Sequence, residues 1–354
     1  MNLKDWGLDS FFEEEYQTYN KEEEILRGRV TLEHKHIYRV QVEDGERLAS
    51  ISGKLRHQAV GRDGFPAVGD WVVLREGGEG RAVIDAILPR RSKFTRREAG
   101  FHIDEQIVAA NVDTVFLVMG TDQDFNLRRM ERYLSVAWES GAMPVIVLTK
   151  ADLCPDIEKK RAQVAHIAVG VPIHIVSAIN GQGIEELQAY LTSGRTVALT
   201  GSSGVGKSTL INCLADSELL ETGEVRADGR GRHTTTHREL VRLPEGGLLL
   251  DTPGMRLLKM WEDEGGVDHT FSDILKWAQK CKFSDCAHET EPGCAVQEAI
   301  DQGLLDAARL QNYRKLGREL AYLERKKDAG AMRSERERWK KQKVQYRKNT
   351  RHRR

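Results

Sequence analysis

Apolar residues in the middle of the chain fall into short runs, separated by longer stretches of mixed polarity. The runs have strand length and lie at residues 112–119, 145–148, 173–176, 197–199 and 248–250. The stretches between the first four runs have helical spacing and lie near residues 127–140, 156–169 and 184–191. Short apolar strands that alternate with helices predict a mostly parallel sheet covered on both faces. We therefore predict an α/β domain over residues 105–256.

The chain before this domain has a different period. Residues 38–42 alternate apolar and polar side chains, as a half-buried strand does. Further strand-like runs lie at 70–74 and 82–88, with turn-rich segments between them. Several short strands within residues 26–92 predict a small β-barrel of the OB-fold type. Such a barrel serves either as a nucleic-acid platform or as a spacer, and the sequence leaves both open. Residues 1–25 are polar and acidic and predict an N-terminal arm.

The chain after the α/β domain is predicted to be mostly helical. An apolar stripe at three- and four-residue spacing, typical of helix packing, is formed by Tyr313, Leu316, Leu320 and Leu323. We place a helical domain at 257–325 and a basic tail at 326–354. The predicted fold class is thus multidomain, with an N-terminal β-barrel, a central α/β domain and a mostly α C-terminal domain.

The composition is that of a globular protein with two or three domains. Of the 354 residues, 40% are hydrophobic and 31% are charged. No apolar run reaches the roughly 18 residues of a membrane helix, and the acidic N-terminus does not have the pattern of a secretory signal. We therefore predict a cytoplasmic protein without a membrane segment.

Charge is unevenly distributed, although the formal net charge is +0. Residues 312–354 hold 17 Lys and Arg against 5 Asp and Glu, a local balance of +12, so the rest of the chain carries −12. A terminus this basic favours contact with the phosphates of a nucleic acid. The alternative is a solvated tail that only aids solubility.

A phosphate-binding loop is the most specific motif in the chain. The pattern GxxxxGK[ST] is matched in full by Gly201, Ser202, Ser203, Gly204, Val205, Gly206, Lys207 and Ser208, followed by Thr209. A predicted strand precedes the loop and a helix follows it, so that backbone N–H groups converge on phosphate at the helix N-terminus. Lys207 is expected to contact the β- and γ-phosphates, and Ser208 to bind Mg²⁺.

Two further loops indicate which base is bound. Thr149, Lys150, Ala151 and Asp152 resemble the guanine-specificity motif NKxD, with Thr at the Asn position. The Asp152 carboxylate would accept hydrogen bonds from a ring N–H and the exocyclic amine of guanine, which adenine does not offer at that edge. Lys150 would lie along the ring, and the backbone of Ser177-Ala178 would support the guanine oxygen. The alternative is a helix N-cap at Asp152.

A fourth loop follows the last predicted strand. Asp251-Thr252-Pro253-Gly254 matches DxxG, in which Asp251 would hold Mg²⁺ through water and the Gly254 N–H would sense the γ-phosphate. The alternative is a strand-ending turn. A loop before it contains Thr235, a candidate to close onto Mg²⁺. The base-reading loops thus precede the phosphate loop, a rotated order that still brings all of them to one edge of the sheet.

Cysteine and histidine form one cluster with metal-ligand spacing. Cys281, Cys286, His288 and Cys294 supply three thiolates and one imidazole, a full tetrahedral set for one structural Zn²⁺. The alternative is three buried cysteines with no metal. Cys154 and Cys213 are interpreted as ordinary thiols. Since this segment follows the DxxG loop, we hypothesise that γ-phosphate contacts reorient the zinc-binding domain.

The rotated motif order, GSSGVGKST, GRHTTTHREL, DTPG and the cysteine cluster together resemble the RsgA (YjeQ/YloQ) family of circularly permuted GTPases. The resemblance implies an OB-fold that contacts ribosomal RNA. It also implies a GTPase that checks late maturation of the small (30S) ribosomal subunit, with its 16S rRNA as partner. The resemblance further implies that the subunit stimulates hydrolysis. We also predict GTP or GDP with Mg²⁺ as ligand, one structural Zn²⁺ and a monomeric state. The alternatives are a P-loop ATPase or kinase and a non-catalytic zinc-containing RNA-binding protein.

The catalytic group is left open by the sequence. Many GTPases have a Gln after DxxG that orients water, whereas this chain has Met255. His233 is our hypothesis for that role, because it resembles the histidine in the family's GRHTT-type loop. The alternative is that His233 contacts only RNA or solvent.

Overall fold

A computed structural model describes residues 2–19, 25–34, 36–59, 61–78, 80–97, 105–216, 239–251, 264–322 and 325. Several predicted features lie outside these residues, namely His233, Thr235, Thr252, Pro253, Gly254, Met255, Leu323, the side chain of Asp251 and the tail 326–354. Within the part of the chain that is described, no helix is long and apolar enough to cross a membrane.

Five strands near the N-terminus close into the predicted barrel. They are β1 (Leu26–His34), β2 (Ile37–Val42), β3 (Gly45–Ile51), β4 (Trp71–Glu76) and β5 (Arg81–Ile87). Their order is β1-β2-β3-β5-β4, and a further pairing of β1 with β4 completes the closure. A short helix α2 (Gly53–Gln58) and a 3-10 turn (Arg62–Gly64) connect β3 to β4. Apolar side chains fill the interior, among them Val30, Tyr38, Val40, Val72 and Leu74.

The N-terminal arm is helical and packs onto the barrel. It contains a 3-10 turn (Leu3–Trp6) and helix α1 (Ser10–Gln17), which Asp9 caps by accepting a hydrogen bond from the Phe12 N–H. Phe12 and Tyr16 are buried against Trp71, with ring centroids 5.6 and 6.5 Å away. An apolar stripe within an acidic segment therefore fixes the arm to the protein core.

The central domain has a parallel sheet with helices on both faces, as predicted. Its strands are β8 (Thr114–Gly120), β9 (Met143–Thr149), β10 (Ile173–Ile175), β11 (Thr196–Thr200), β12 (Glu239–Arg242) and β13 (Leu248–Asp251). Its helices are α3 (Leu127–Ser140), α4 (Ile157–Ile167), α5 (Ile184–Gln188) and α6 (Lys207–Ala215). The order is β10-β9-β8-β11-β13-β12, with β12 antiparallel to β13 and the rest parallel.

Alternate residues of β8 show why both faces of this sheet are covered. Val115 and Leu117 belong to a core that includes residues of α3 and α4. Phe116 and Val118 belong to a second core, shared with α5 and α6. Because successive strand side chains point to opposite faces, a fully apolar run supplies both cores at once.

The barrel and the central domain share one sheet of eleven strands. Barrel strand β1 pairs with β12 through Leu32 opposite Glu239, and the Arg39 guanidinium lies 3.0 Å from the Glu239 carboxylate. A separate hairpin, β6 (Lys93–Arg97) and β7 (Glu105–Ala110), lies between the two domains in the chain.

The C-terminal segment is helical and is attached to α3 by a buried ion pair. Its helices are α7 (Glu264–Thr270), α8 (Ser272–Ala278), α9 (Ala295–Asp301) and α10 at 307–322. Arg309 on α10 is 2% exposed and places Nη1 2.7 Å from Glu131 of α3, whose side chain is 0% exposed. The same guanidinium contacts Asp273 at 2.7 Å. A charged pair at this depth fixes the relative position of the two elements, because separation would break it and leave the buried Glu131 carboxylate with Arg128 of its own helix as its remaining cation.

Candidate functional site

The phosphate-binding loop lies between β11 and α6, as predicted. Gly204 and Gly206 have φ of 76° and 93°, backbone conformations that favour glycine. At Gly201 a Cβ would lie 2.3 Å from the Val118 carbonyl oxygen, so only glycine fits the turn out of β11. The Lys207 Nζ lies 2.8 Å from the Gly201 carbonyl oxygen and 2.5 Å from that of Ser202. The ammonium is thus folded back over the loop.

Other predicted residues of this loop are arranged around the start of α6. The helix begins at Lys207, so Ser208 and Thr209 lie in its first turn, half-buried. Ser202 and Ser203 are also half-buried, and Val205 is fully buried in the core that includes α6. The loop therefore presents backbone N–H groups at a helix N-terminus, the arrangement that binds phosphate.

The loop that resembles NKxD, residues 149–152, is called the guanine-type loop here and contacts the phosphate loop directly. Thr149 ends β9 and is 3% exposed. Its Oγ1 donates a hydrogen bond of 2.6 Å to the Val205 carbonyl. These two segments are separated in the sheet by β8, and the contact spans that strand. The hydroxyl at the position of Asn in NKxD therefore joins two loops that are distant in sequence.

The Ser177-Ala178 loop is joined to the same cluster. The Ser177 Oγ donates a hydrogen bond of 2.6 Å to the Asp152 carboxylate, and the Ala151 N–H donates to the Val176 carbonyl at 3.2 Å. Ala178 contacts α6, since the Cys213 Sγ lies 3.5 Å from its carbonyl oxygen. Helix α4 begins at Ile157, with Asp156 at its N-cap position. The alternative reading of Asp152 as a helix N-cap is therefore wrong.

Sequence reasoning missed Thr121 and Asp122, which follow β8 at the same edge of the sheet. The Asp122 Oδ2 lies 2.7 Å from the Lys150 Nζ, and the Thr121 Oγ1 donates to the Lys150 carbonyl at 2.8 Å. Burial acts to raise the pKa of Asp122, but the hydrogen bond and charge of Lys150 outweigh it and the pKa is lowered. Their position in the sequence could have indicated this role, because both residues directly follow β8, which ends beside β9 in a parallel sheet.

The fourth loop is described only as far as Asp251. That residue ends β13, which pairs in parallel with β11 through Ala198 opposite Leu250. The backbone of Asp251 therefore reaches the same edge of the sheet as the phosphate loop. The predicted contributions of Gly254, Thr235 and His233 lie outside the described residues.

The four predicted metal ligands come together between α8 and α9. All their ligand atoms lie within 4.8 Å of one another. The Cys281 and Cys294 sulfurs are 3.9 Å apart, and the His288 Nδ1 lies 3.6 and 3.5 Å from them. Tetrahedral zinc with its usual bond lengths places neighbouring ligands about 3.5–3.8 Å apart. Cys286 completes the set, so these residues fit one structural Zn²⁺.

The surroundings of His288 support this role. The residue has φ of 59°, and its carbonyl accepts hydrogen bonds from the side chains of Gln297 and Arg314. Burial and the charge of Arg314 lower the pKa of His288, against an opposing effect of Glu291. The imidazole is thereby favoured in its neutral form, the form that binds metal.

Comparisons with known proteins agree with the arrangement of these loops. The family model described as RsgA GTPase matches residues 87–261. A relative from Oceanobacillus iheyensis, described as "Small ribosomal subunit biogenesis GTPase RsgA 1", is 47% identical over 99% of this chain and 100% of its own length. A relative from Opitutus terrae, described as "Small ribosomal subunit biogenesis GTPase RsgA", is 49% identical over 96% of both chains. The chain belongs to the RsgA GTPase family.

Solved structures of RsgA-type proteins support the fold. YjeQ from Thermotoga maritima aligns with a TM-score of 0.64 and 32% identity, over 84% of this chain and 99% of its own. YloQ, described as a circularly permuted GTPase, aligns with a TM-score of 0.61 over 86% of this chain and 97% of its own. At 23% identity the second likeness concerns the fold alone.

Membership of the RsgA family confirms several predictions together. The family resemblance, the multidomain fold class with a permuted GTPase domain, and the assignment as a GTP hydrolase are all confirmed. The same holds for the cofactors, since the cysteine and histidine cluster fits zinc and GTPases use Mg²⁺. The rotated order of the motifs is thus a property of an RsgA GTPase, and does not disturb the convergence of the loops.

Proposed function

We propose that this chain hydrolyses GTP during biogenesis of the small (30S) ribosomal subunit, with that subunit and its 16S rRNA as partners. The observation that carries the nucleotide part is the hydrogen bond from the Thr149 Oγ1 to the Val205 carbonyl, 2.6 Å long. It supports a single pocket shared by the base-reading and phosphate-binding loops. The ribosomal part rests on relatives at 47% and 49% identity that are described as small ribosomal subunit biogenesis GTPases.

The phosphate side of the pocket follows from the loop before α6. Backbone N–H groups from Gly201 to Lys207 would hold the β-phosphate at the helix N-terminus. Lys207 now bonds two carbonyl oxygens of its own loop, and would exchange them for phosphate oxygens. Ser208 would bind Mg²⁺ directly and Asp251 would hold it through water, while the Gly254 N–H would contact the γ-phosphate. Bound Mg²⁺ neutralises charge on the transferring phosphoryl group.

The base side of the pocket depends on Asp152. Its carboxylate accepts a hydrogen bond from Ser177 at 2.6 Å, which fixes the plane of the carboxylate. A carboxylate held in this way would accept two hydrogen bonds from guanine and would be left unpaired by adenine. Lys150 would cover the ring, while the backbone of Ala151 and Ala178 would line the pocket.

The remaining parts of the chain have supporting roles in this proposal. The Zn²⁺ site would stabilise the helical domain at 257–325, since four protein ligands leave no open coordination position. The barrel at 26–92 and the basic tail at 326–354 would contact rRNA phosphates. We further propose the remaining domain limits of 1–25 and 105–256, a monomeric state and a cytoplasmic location.

GTP turnover with and without purified small ribosomal subunits tests the proposal. We expect slow phosphate release alone and faster release with small subunits, with large subunits as the control. ATP should not compete with GTP. Turnover that stays absent with small subunits would favour the alternative of a non-catalytic RNA-binding protein, and equal competition by ATP would favour an ATPase or kinase.

Base reading is tested by the variant Asp152→Asn, with Asp156→Asn as the matched control. Asp156 lies just outside the loop, at the start of α4. We expect Asp152→Asn to weaken GDP binding on the order of a hundredfold, since two charge-assisted hydrogen bonds are lost. The control should bind GDP as the wild type does. Equal binding by both variants would remove Asp152 from the pocket.

The catalytic group is proposed on sequence grounds alone. Met255 has no group that orients water, so His233 is the candidate. The variant His233→Ala should keep GTP affinity and lose the stimulation by small subunits. If stimulated turnover is unchanged while binding is intact, His233 has no part in the chemistry.

A further inference from the structure

The loop at the end of β8 is not used in the function proposed above, although it contacts the guanine-type loop at several points. Helix α3 begins at Leu127, so the loop comprises residues 121–126. Three atoms of this loop, all from Thr121 and Asp122, bond to Thr149 or Lys150. The loop is therefore packed beside the residue that is expected to cover the base.

Lys150 has an unusual backbone conformation. Its φ is 60° and its ψ is 38°, the left-handed region that residues with a Cβ enter only at a cost in free energy. Such a conformation persists only where neighbouring groups determine it, and it is concentrated at functional sites. Lys150 has no side-chain feature that favours this region by itself, so the surrounding contacts must hold it.

Thr121 supplies the contacts that hold the backbone. Its Oγ1 lies 2.9 Å from the Thr149 carbonyl oxygen and 2.8 Å from that of Lys150. The Thr121 N–H donates to the Thr149 carbonyl at 3.0 Å. Thr121 is 2% exposed, and the carbonyl of Thr121 accepts a hydrogen bond from the Lys160 side chain. The peptide on either side of Lys150 is therefore fixed by one buried residue.

Asp122 supplies the contact that holds the side chain. Its Oδ2 lies 2.7 Å from the Lys150 Nζ, while its Oδ1 accepts the Asp124 N–H at 3.0 Å. The second contact fixes the carboxylate to its own loop. With the ammonium anchored, the four-carbon stem of Lys150 is restrained and can pack on an apolar surface such as a purine ring. Without the anchor the stem is free to adopt other rotamers, and ordering it on binding costs entropy.

We propose that Asp122 is a positioning residue for the guanine nucleotide, which acts through Lys150 by fixing its side chain over the face of the base. The inference rests on the proposed function, because it assumes that a guanine nucleotide occupies the pocket. In this proposal Asp122 contributes to the affinity for the nucleotide, and Asp152 determines the specificity for guanine.

A double-mutant cycle on nucleotide affinity tests this assignment. The variants are Asp122→Asn, Lys150→Met and the two combined, with fluorescent N-methylanthraniloyl-GDP as the probe. Asparagine keeps an oxygen for the Asp124 N–H but has no charge for the ammonium, and methionine keeps most of the stem. We expect Asp122→Asn to weaken binding roughly two- to fivefold, the range of a partly exposed ion pair. In the Lys150→Met background the same change should have no effect.

Two further measurements separate positioning from a structural role. Asp122→Asn should weaken GDP and inosine diphosphate by the same factor, because a stem on the ring face does not sense the exocyclic amine. Asp124→Asn is the matched control; it lies in the same loop and pairs with Arg129 at 2.7 Å, so it should bind GDP as the wild type does.

Each other outcome contradicts the assignment. A loss that persists in the Lys150→Met background would show that Asp122 acts on the loop and not through Lys150. Tighter or unchanged binding by Asp122→Asn would show that the ion pair does not prepare the pocket. If the wild-type chain fails to bind fluorescent GDP, the proposed function itself fails. That result can be told apart from the two outcomes above, in which the wild-type chain binds.

Discussion

The hydrogen bond between Thr149 and Val205 is the most direct link between the two halves of the nucleotide pocket, and its removal is the sharpest test of the pocket. The variant Thr149→Val keeps the shape of the side chain and replaces only the hydroxyl. The bond is 2.6 Å long, and both residues are buried, at 3% and 0% exposure. Its loss leaves the Val205 carbonyl without this donor in a place that water does not reach.

The expected cost is about 1–2 kcal/mol, within the range for a buried group that loses its partner. Because GDP must contact both loops at once, part of this cost should appear in binding. We expect GDP affinity to fall up to roughly 5- to 30-fold, the equilibrium factor for this free energy. Titration with fluorescent GDP measures the loss of affinity. Chemical denaturation without nucleotide measures the part of the cost that appears as a lower free energy of unfolding.

Thr149→Ser is the matched control, since serine keeps the hydroxyl and lacks only the methyl group. It should bind GDP close to the wild-type affinity. Equal losses in the two variants would show that the pocket responds to any change of this side chain, and would not assign the effect to the hydrogen bond. Wild-type affinity and stability in Thr149→Val would refute the view that this bond organises the pocket.

Three further changes have expected outcomes that the structure sets. Arg309→Met should lower the free energy of unfolding by about 1–3 kcal/mol in chemical denaturation, because buried Glu131 loses one of its two arginine partners while Arg128 remains; a loss no larger than that of an exposed-arginine control would contradict it. Gly201→Ala should abolish GDP binding in a fluorescence titration, since its Cβ would lie 2.3 Å from the Val118 carbonyl oxygen; wild-type binding would refute the close approach. Cys286→Ser should reduce bound zinc below one per chain by atomic absorption and expose residues 272–301 to hydrogen exchange; full zinc content would remove Cys286 from the ligand set.

Much of the central domain could be predicted from the sequence because its strands are buried on both sides. The run at 112–119 became β8 (Thr114–Gly120), within two residues at its start. A strand covered by helices on both faces must be apolar throughout, so its pattern is visible without tertiary information. The phosphate loop was equally clear, because its glycines meet requirements of the backbone that no other residue satisfies.

Other features depend on contacts that no local pattern encodes. The hairpin of β6 and β7 was missed because its first strand, Lys93–Arg97, is largely charged and has little apolar period. The left-handed conformation of Lys150 has no signal in its residue type, since it is imposed by Thr121 from a neighbouring strand end. Pairing of Leu32 with Glu239 joins positions far apart in the sequence.

The hypothesis that the zinc-binding domain reorients with the nucleotide stays a prediction. The DxxG loop beyond Asp251 lies outside the described residues. The ion pair of Arg309 with Glu131 contributes to its cost, because movement of α10 away from α3 would separate that pair, whereas Asp273 lies on α8 of the same segment. Arg309→Met should therefore also make such a movement easier to observe by scattering.

The barrel is joined to the central domain by strand pairing as well as by the peptide chain, so its orientation does not depend on the covalent link alone. Residues 88–113 are the peptide link, but β1 and β12 provide a second attachment through their backbones. Lengthening the link with a flexible insert should consequently leave the barrel facing the same way. What aims the barrel is therefore β12, the strand that starts at Glu239, as much as the covalent link.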